Sequence, residues 1–371
     1  MAEQLKNRFG ADVPMKIAEM IASVYQHFPK GVFIRDVLDG YAPLELFPRG
    51  WKIARAMRHH LPEDYRKAVA ILIKSIGPKL DKTEDYGMAP FLYLPHVFFV
   101  AEYGLNHFEE SMRAQYELTQ RFTAEFSIRP YLEKYPAATL SRLQDWAVDP
   151  SVHVRRLVSE GTRPRLPWAP WLRAFQADPR PVLALLEMLK DDPELYVRRS
   201  VANNLNDIGK DHPAVLVGVC KKWLIAATKE RRWLIGHALR SAIKRGEAGA
   251  LEVLGFEKTA GVVIRKVRIA PKRASMEKSV SIAFEVINTS SKRQSVLADF
   301  RVHFVKANGS TSPKVFKLKT LDLNPNQSEL VGKTVSLVEM TTRRHYPGKH
   351  TVDVLLNGRV KPLGAFELLK F

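Results

Sequence analysis

Glu125 stands beside Phe122 and Phe126, at the edge of the apolar stripe of a helix predicted to run on from Leu118. A carboxylate held there is partly desolvated unless it is paired, a condition under which acids take up functional work. Arg121 and Arg129 are within reach as structural partners, so pairing and function both fit this position. Arg156 and Glu160 are four residues apart, and Arg199, Asn203 and Asp207 repeat that spacing. Residues so spaced share one helix face. They are either a functional wall or an ordinary solvated face with ion pairs one turn apart. Between the two groups, Gly161-Thr162-Arg163-Pro164-Arg165-Leu166-Pro167-Trp168-Ala169-Pro170-Trp171 gathers arginines, prolines and tryptophans in one loop. Rigid guanidiniums beside aromatic faces suit phosphates and nucleobases. Of the two tryptophans, Trp171 is expected to anchor the loop to the core.

The elements that must hold these residues are helices arranged as a repeat. Asp149-Pro150-Ser151-Val152-His153-Val154-Arg155-Arg156 is echoed 43 residues later by Asp192-Pro193-Glu194-Leu195-Tyr196-Val197-Arg198-Arg199. That period suits HEAT-like repeats, in which each unit is a helix pair buried against its neighbours. Aspartate and proline also begin many helices without any repeat, but the shared Val-Arg-Arg argues against coincidence. A weaker third copy starts at Arg231-Arg232-Trp233-Leu234. In each good copy an apolar stripe faces the core: Val154, Leu157 and Val158, then Val197, Val201, Leu205 and Ile208. The polar stripes then fall on equivalent faces, which a solenoid lines up as one concave wall. His237 and Arg240, with Arg231 and Arg232, either extend a basic track along that wall or are ordinary surface charges.

The chain changes character between Gly246 and Gly261. Beyond it, apolar residues alternate with a period of two, as in Val280, Ile282, Phe284 and Val286, or Val352, Val354 and Leu356. Asn308-Gly309, Asn324-Pro325-Asn326, Pro347-Gly348 and Asn357-Gly358 mark turns between the runs. About seven short strands are expected over 262–369, enough for a small immunoglobulin-like sandwich. The expected fold is therefore multidomain α + β: a HEAT-like helical solenoid over 1–250, a linker over 251–261 and a β-sandwich over 262–371.

Charge points to a partner. The 371 residues carry 58 lysines and arginines against 39 aspartates and glutamates, a formal net charge of +19. A polyanion answers such an excess, and nucleic acid is the commonest one. From Lys258 to Phe371 there are 21 basic residues against 8 acidic ones, so most of the excess lies in the tail, which reads as a docking module for a phosphate backbone. No apolar run is long enough to span a bilayer, and residues 1–6 lack the pattern of a signal peptide, so a cytoplasmic protein without a membrane partner is expected. The single cysteine, Cys220, lies in an apolar stretch and reads as a core residue. There is no zinc-ligand spacing and no Gly-rich phosphate loop, so no metal and no cofactor are expected.

Three segments resemble the AlkC family of DNA alkylation repair glycosylases, relatives of AlkD. They are 122–130 (Phe122-Thr123-Ala124-Glu125-Phe126-Ser127-Ile128-Arg129-Pro130), 152–168 from Val152 to Trp168, and 196–213 from Tyr196 to Pro213. The similarity extends over 15–245, and the tail is similar to the subgroup carrying an immunoglobulin-like domain. The resemblance implies a monofunctional glycosylase that hydrolyses the N-glycosidic bond of 3-methyladenine, and of 3-methylcytosine and related cationic bases, in duplex DNA without full base flipping. It implies Glu125, Glu160 and Asp207 as active-site carboxylates, with Arg156 and Trp168 supporting the lesion. Arg163, Arg165, Arg199, Asn203, Lys210, His237 and Arg240 are then expected along the DNA. A monomer with no obligate protein partner suits a concave clamp. A non-catalytic DNA-binding or protein-binding repeat is the alternative.

Overall fold

The computed structural model describes residues 5–83, 87, 89–256, 261–339 and 344–370. Its α-helices are α1 (Asp12–Val24), α2 (Lys30–Leu38), α3 (Leu46–His60), α4 (Tyr65–Ser75), α5 (Leu94–Tyr103), α6 (Phe108–Thr119), α7 (Ile128–Lys134) and α8 (Pro136–Trp146). There follow α9 (Val152–Gly161), α10 (Arg173–Ala177), α11 (Arg180–Leu189), α12 (Leu195–Asp211), α13 (Pro213–Leu224), α14 (Lys229–Arg245) and α15 (Ala248–Val253). No helix among the described residues is long and apolar enough to cross a membrane.

The sequence echo is a repeated piece of hydrogen bonding. Asp149 Oδ1 accepts from the Ser151 amide at 2.7 Å before α9, and Asp192 Oδ1 accepts from the Glu194 amide at 2.9 Å before α12. Arg155 Nη1 donates to the carbonyls of Asp149 and Pro150, and Arg198 Nη1 to those of Asp192 and Pro193. The Asp-Pro start and the arginine six residues on thus close the same turn twice. The copies are also tied to each other, because Arg155 grips the Asp192 carboxylate at 2.6 and 3.1 Å. The weaker third copy falls in the first turn of α14 and has no Asp-Pro turn before it. Val154, Leu157 and Val158 of α9 and Val197, Val201, Leu205 and Ile208 of α12 are all buried, as their stripes predict.

α9 ends against α7 with no room to spare. A Cβ on Gly161 would sit 2.5 Å from Ile128 Cγ2. Gly161→Ala must shift the Ile128 side chain or the backbone that carries it, at a cost of about 1–3 kcal/mol. Thermal or urea unfolding checks this, and an unchanged midpoint would show that the contact yields freely.

The chain folds as two compact units, Met1–Asp211 with Lys229–Ala238, and His212–Thr228 with Leu239–Phe371. The second holds α13, α15 and the later part of α14 together with the strands. Residues 251–253, placed in a linker by the sequence pattern, are helical as the end of α15. Cys220 on α13 is fully buried, and burial pushes its thiol up to about 12, which makes it a core residue and no nucleophile.

Eight strands are described: β1 (Val262–Ala270), β2 (Arg273–Ala274), β3 (Ser279–Asn288), β4 (Gln294–Val305), β5 (Thr311–Leu323), β6 (Ser328–Ser336), β7 (Gly348–Leu356) and β8 (Arg359–Leu368). They form a sheet in the order β1-β3-β6 and another in the order β2-β8-β7-β4-β5. All described pairings are antiparallel except that of β2 with β8. The sequence pattern predicts about seven strands, and of the eight described, β2 has two residues and is too short to show alternation. Val280, Ile282, Phe284 and Val286 of β3 share one buried core with Val296, Ala298, Phe300 and Val302 of β4. Asn357 and Gly358 both take positive φ, 45° and 75°, as the two-residue turn joining β7 to β8 requires.

Candidate active site

Glu125, Glu160 and Asp207 meet in one ion-pair network inside the first unit. Arg156 Nη1 lies 2.7 Å from Glu125 Oε2, and Arg156 Nη2 lies 3.7 Å from Glu160 Oε1. Arg163 Nη1 lies 2.5 Å from that same Glu160 oxygen, while its Nε lies 2.7 Å from Asp207 Oδ2. Lys210 Nζ closes the chain at 2.7 Å from Asp207 Oδ1. Ser200 donates to Glu160 Oε2 at 2.6 Å, so both oxygens of Glu160 are held. The network draws on the α6–α7 loop, α9, the loop after it and α12.

Burial corrects the picture of a solvated outer face. Glu160 is 6 % exposed and Asp207 1 %. Along α12 the polar stripe sinks from exposed Arg199 through half-buried Asn203 to buried Asp207. Spacing gives an angle around the helix but not what covers it. Here the covering is the segment after α9: Asn204 donates to Ser159 O and Thr162 Oγ1, and Arg163 and Arg165 reach Asp207 and Asp211. Burial pushes the Glu160 carboxyl up, but the Arg156 and Arg163 guanidiniums and the Ser200 hydroxyl outweigh it and hold the group below its ordinary value. Both arginines are shifted up: burial opposes their charge, and the carboxylates beside them more than restore it.

Glu125 is not on a helix. α6 stops at Thr119, and Glu125 lies in the turn before α7. Its partner is neither Arg121 nor Arg129 but Arg156. Arg121 is occupied by Glu117 and the Gly77 carbonyl. Arg129 donates to the carbonyls of Gly161, Arg163 and Pro170 and so clamps the 161–171 loop, while burial pulls it down to about 10. Thr123 orders the turn: its Oγ1 accepts from the Glu125 amide at 3.2 Å and from Arg156 at 3.0 Å, and donates to Glu125 Oε2 at 2.8 Å. The Glu125 carboxylate meets both Thr123 and Arg156 through Oε2. Among the described residues, Oε1 has no partner.

Glu125, Arg156, Glu160, Arg163 and Trp168 line one cleft of about 480 Å³ with Thr123, His153 and Tyr196. Asp207 lies off this lining and touches it through Arg163. His153 and Tyr196 occupy equivalent positions of the two repeat copies, and the 43-residue echo was the signal that could have singled them out. Their rings meet at 5.9 Å, and the Arg156 guanidinium lies 5.4 Å from the Tyr196 ring centre.

The residues expected along a DNA backbone divide. Arg163 is an internal anchor of two buried carboxylates. Arg165 makes two bonds to Asp211, at 2.9 and 2.5 Å, and lies over Trp171 at 4.3 Å. Arg173 lies over the same indole at 4.8 Å. Trp171 is thus half-exposed beneath two guanidiniums, and Leu166 and Leu172 are the side chains that anchor the loop. Lys210 and Arg199 are exposed, although Lys210 is engaged with Asp207. His237 stacks on Trp233 and hydrogen bonds Asn203 at 3.1 Å. Arg231 is paired with Asp191. Arg240 falls in the second unit and is half-buried. Among the described residues, no group of three or more histidines, cysteines or carboxylates could hold a metal ion.

The chain is similar to known proteins along its length. A family model for the C-terminal Ig-like domain of the uncharacterised protein YhaZ matches residues 263–370. Over 358 residues the chain is 35 % identical to the uncharacterized protein YhaZ of Bacillus subtilis (strain 168), covering 96 % of this chain and 97 % of that one. The fold matches the solved structure of Pseudomonas fluorescens alkylpurine DNA glycosylase AlkC bound to DNA containing an abasic site analog. That match has a TM-score of 0.91 and 35 % identity over 99 % of this chain and 100 % of the other. With helices, sandwich and order of elements matched along its whole length, the chain belongs to the AlkC family, among the members that carry an immunoglobulin-like domain at the C-terminal end.

Proposed function

We propose that this protein is a monofunctional DNA glycosylase that hydrolyses the N-glycosidic bond of cationic alkylated bases, 3-methyladenine and 3-methylcytosine among them, in duplex DNA. The observation that carries the reading is Glu125: a carboxylate fixed through Oε2 by Thr123 and Arg156 on a residue that lines the cleft. The family relationship to an enzyme solved on DNA with an abasic site analog supports it.

A base methylated at a ring nitrogen is already positively charged. When the C1′–N bond breaks, the electron pair leaves with the base, which departs neutral, and the deoxyribose becomes an oxocarbenium ion. No strong general acid is needed. What lowers the barrier is negative charge beside the sugar in a site that excludes water. Glu125 supplies that charge directly, and its Oε1 orients and deprotonates the water that adds to C1′. Glu160 adds charge from the cleft wall, and Asp207 acts from behind through Arg163. Because the carboxylates work on the sugar, the base need not be extruded fully from the helix.

Lys210, Arg199 and the strands of the second unit then serve to hold phosphates. On β1, Arg265, Lys266 and Arg268 are exposed around a bulge between Arg265 and Arg268. The full-length Arg265→Glu/Arg268→Glu variant is expected to bind duplex DNA at least tenfold more weakly at about 0.15 M salt, with a salt dependence shallower by one to two phosphate contacts. Equal affinity and slope would remove β1 from the docking surface.

The reading itself is tested on methylated duplex DNA carrying an end label. A monofunctional glycosylase leaves strands intact until alkali or heat breaks the abasic sites it has made. Strands that stay whole through that treatment, despite salt-sensitive binding, would leave a DNA-binding repeat protein without chemistry.

A further inference from the structure

Beside the candidate cleft lies a second cavity of about 570 Å³, walled by Phe47 and Trp51 of α3, Phe98 of α5, Phe126 and Trp168. Phe126 and Trp168 line both cavities. The aromatic walls support one another. Trp51 stacks on Phe98 at 4.1 Å, and Phe47 meets Phe98, Phe126 and Trp168 edge-on at 5.4, 5.4 and 5.9 Å. Trp168 is 64 % exposed and has φ of 65°, a left-handed conformation that is costly for a bulky side chain. Strain of this kind persists where the surroundings impose it and marks functional positions. Here it holds an indole as the partition between the two cavities.

The charges of the second cavity differ from those of the chain. Arg55 and Arg129 are matched by Glu102 and Glu133, so the lining is neutral in a protein of net charge +19. A neutral aromatic site does not select phosphate. It suits a flat, uncharged heterocycle that stacks on aromatic faces and presents both donors and acceptors at its edge. On the glycosylase reading, on which this inference rests, the cleft next door produces such a molecule, because the base leaves neutral. We propose that the aromatic cavity behind Trp168 is a subsite for the free nucleobase, which passes from the cleft around the indole and is held there before release.

The test is equilibrium dialysis of the full-length protein, without DNA, against radiolabelled 3-methyladenine, with deoxyribose 5-phosphate as a second ligand. Saturable binding of the base and none of the sugar phosphate is expected. Trp51→Leu, which strips a stacking wall, and Glu102→Trp, which narrows the mouth from an exposed helix position, should each raise Kd roughly tenfold or more. Single-turnover base release from methylated DNA should change less than threefold in both, and unfolding midpoints identify a variant that fails to fold. A wild-type protein that releases base from DNA yet binds no free base overturns the subsite and leaves the glycosylase reading intact. Binding that neither variant weakens places the base elsewhere and also overturns it. Base binding without any release from DNA contradicts the glycosylase reading instead.

Discussion

Arg163→Ala is expected to destabilise the protein by roughly 3–5 kcal/mol and to abolish activity, because it strands two buried carboxylates at once. Arg163 is the ion-pair partner of Glu160 at 2.5 Å and of Asp207 at 2.7 Å. Asp207 would keep Lys210, and Glu160 would keep Ser200 and a 3.7 Å approach to Arg156. None of these three is a guanidinium placed between both acids. Arg163→Lys should recover part of the loss at most, since one ammonium cannot offer two separated donors in a fixed fork. The pH dependence has a definite sign. Glu160 is held below its ordinary value in the folded protein, so its pairing stabilises the fold above the unfolded carboxyl range and is lost as pH falls through the folded value. Urea unfolding of the wild type should therefore show stability declining below about pH 4.5, with a smaller share of that decline in Arg163→Ala. A variant of near wild-type stability would mean that the two acids are not ion-paired through Arg163 in solution.

Glu125→Gln should leave a folded protein with duplex affinity equal to or above that of the wild type, and reduce base excision by about 10²–10³-fold. The amide keeps the shape of the turn. An oxygen can still accept from Arg156 and Thr123, but the negative charge beside the sugar is gone. Affinity should not fall, because a carboxylate facing a phosphate backbone opposes binding. A loss of binding in proportion to activity would assign Glu125 to holding DNA rather than to the reaction.

The sandwich was legible from the chain because strand alternation reports burial directly: Val280, Ile282, Phe284 and Val286 are each buried. The repeat was legible because its Asp-Pro turn and closing arginine recur as a unit. Depth was not legible. Arg199, Asn203 and Asp207 share one face of α12, yet only the loop packed over the far end makes Asp207 a buried charge, and loop placement has no period to read. Phe122 and Phe126 imitate helical spacing, but Phe122 packs on Phe91 and Phe126 on Phe47 and Phe98, so they belong to a turn between helices. Arg163 reads as a DNA-facing loop arginine until the two acids it spans, three residues before it and 44 after, are brought together. Thr123 carried no signal of its own beyond its place in the segment 122–130 around Glu125.

Single-turnover release of free 3-methyladenine from methylated duplex DNA shows whether this cleft breaks the glycosidic bonds of cationic bases. Wild-type protein in excess over lesions should release the base to completion, and Glu125→Gln, shown by binding to occupy the same DNA, should release it at least a hundredfold more slowly. No release by folded, DNA-bound wild type would mean that the cleft does not carry out this hydrolysis, and equal release by both proteins would take the chemistry away from Glu125.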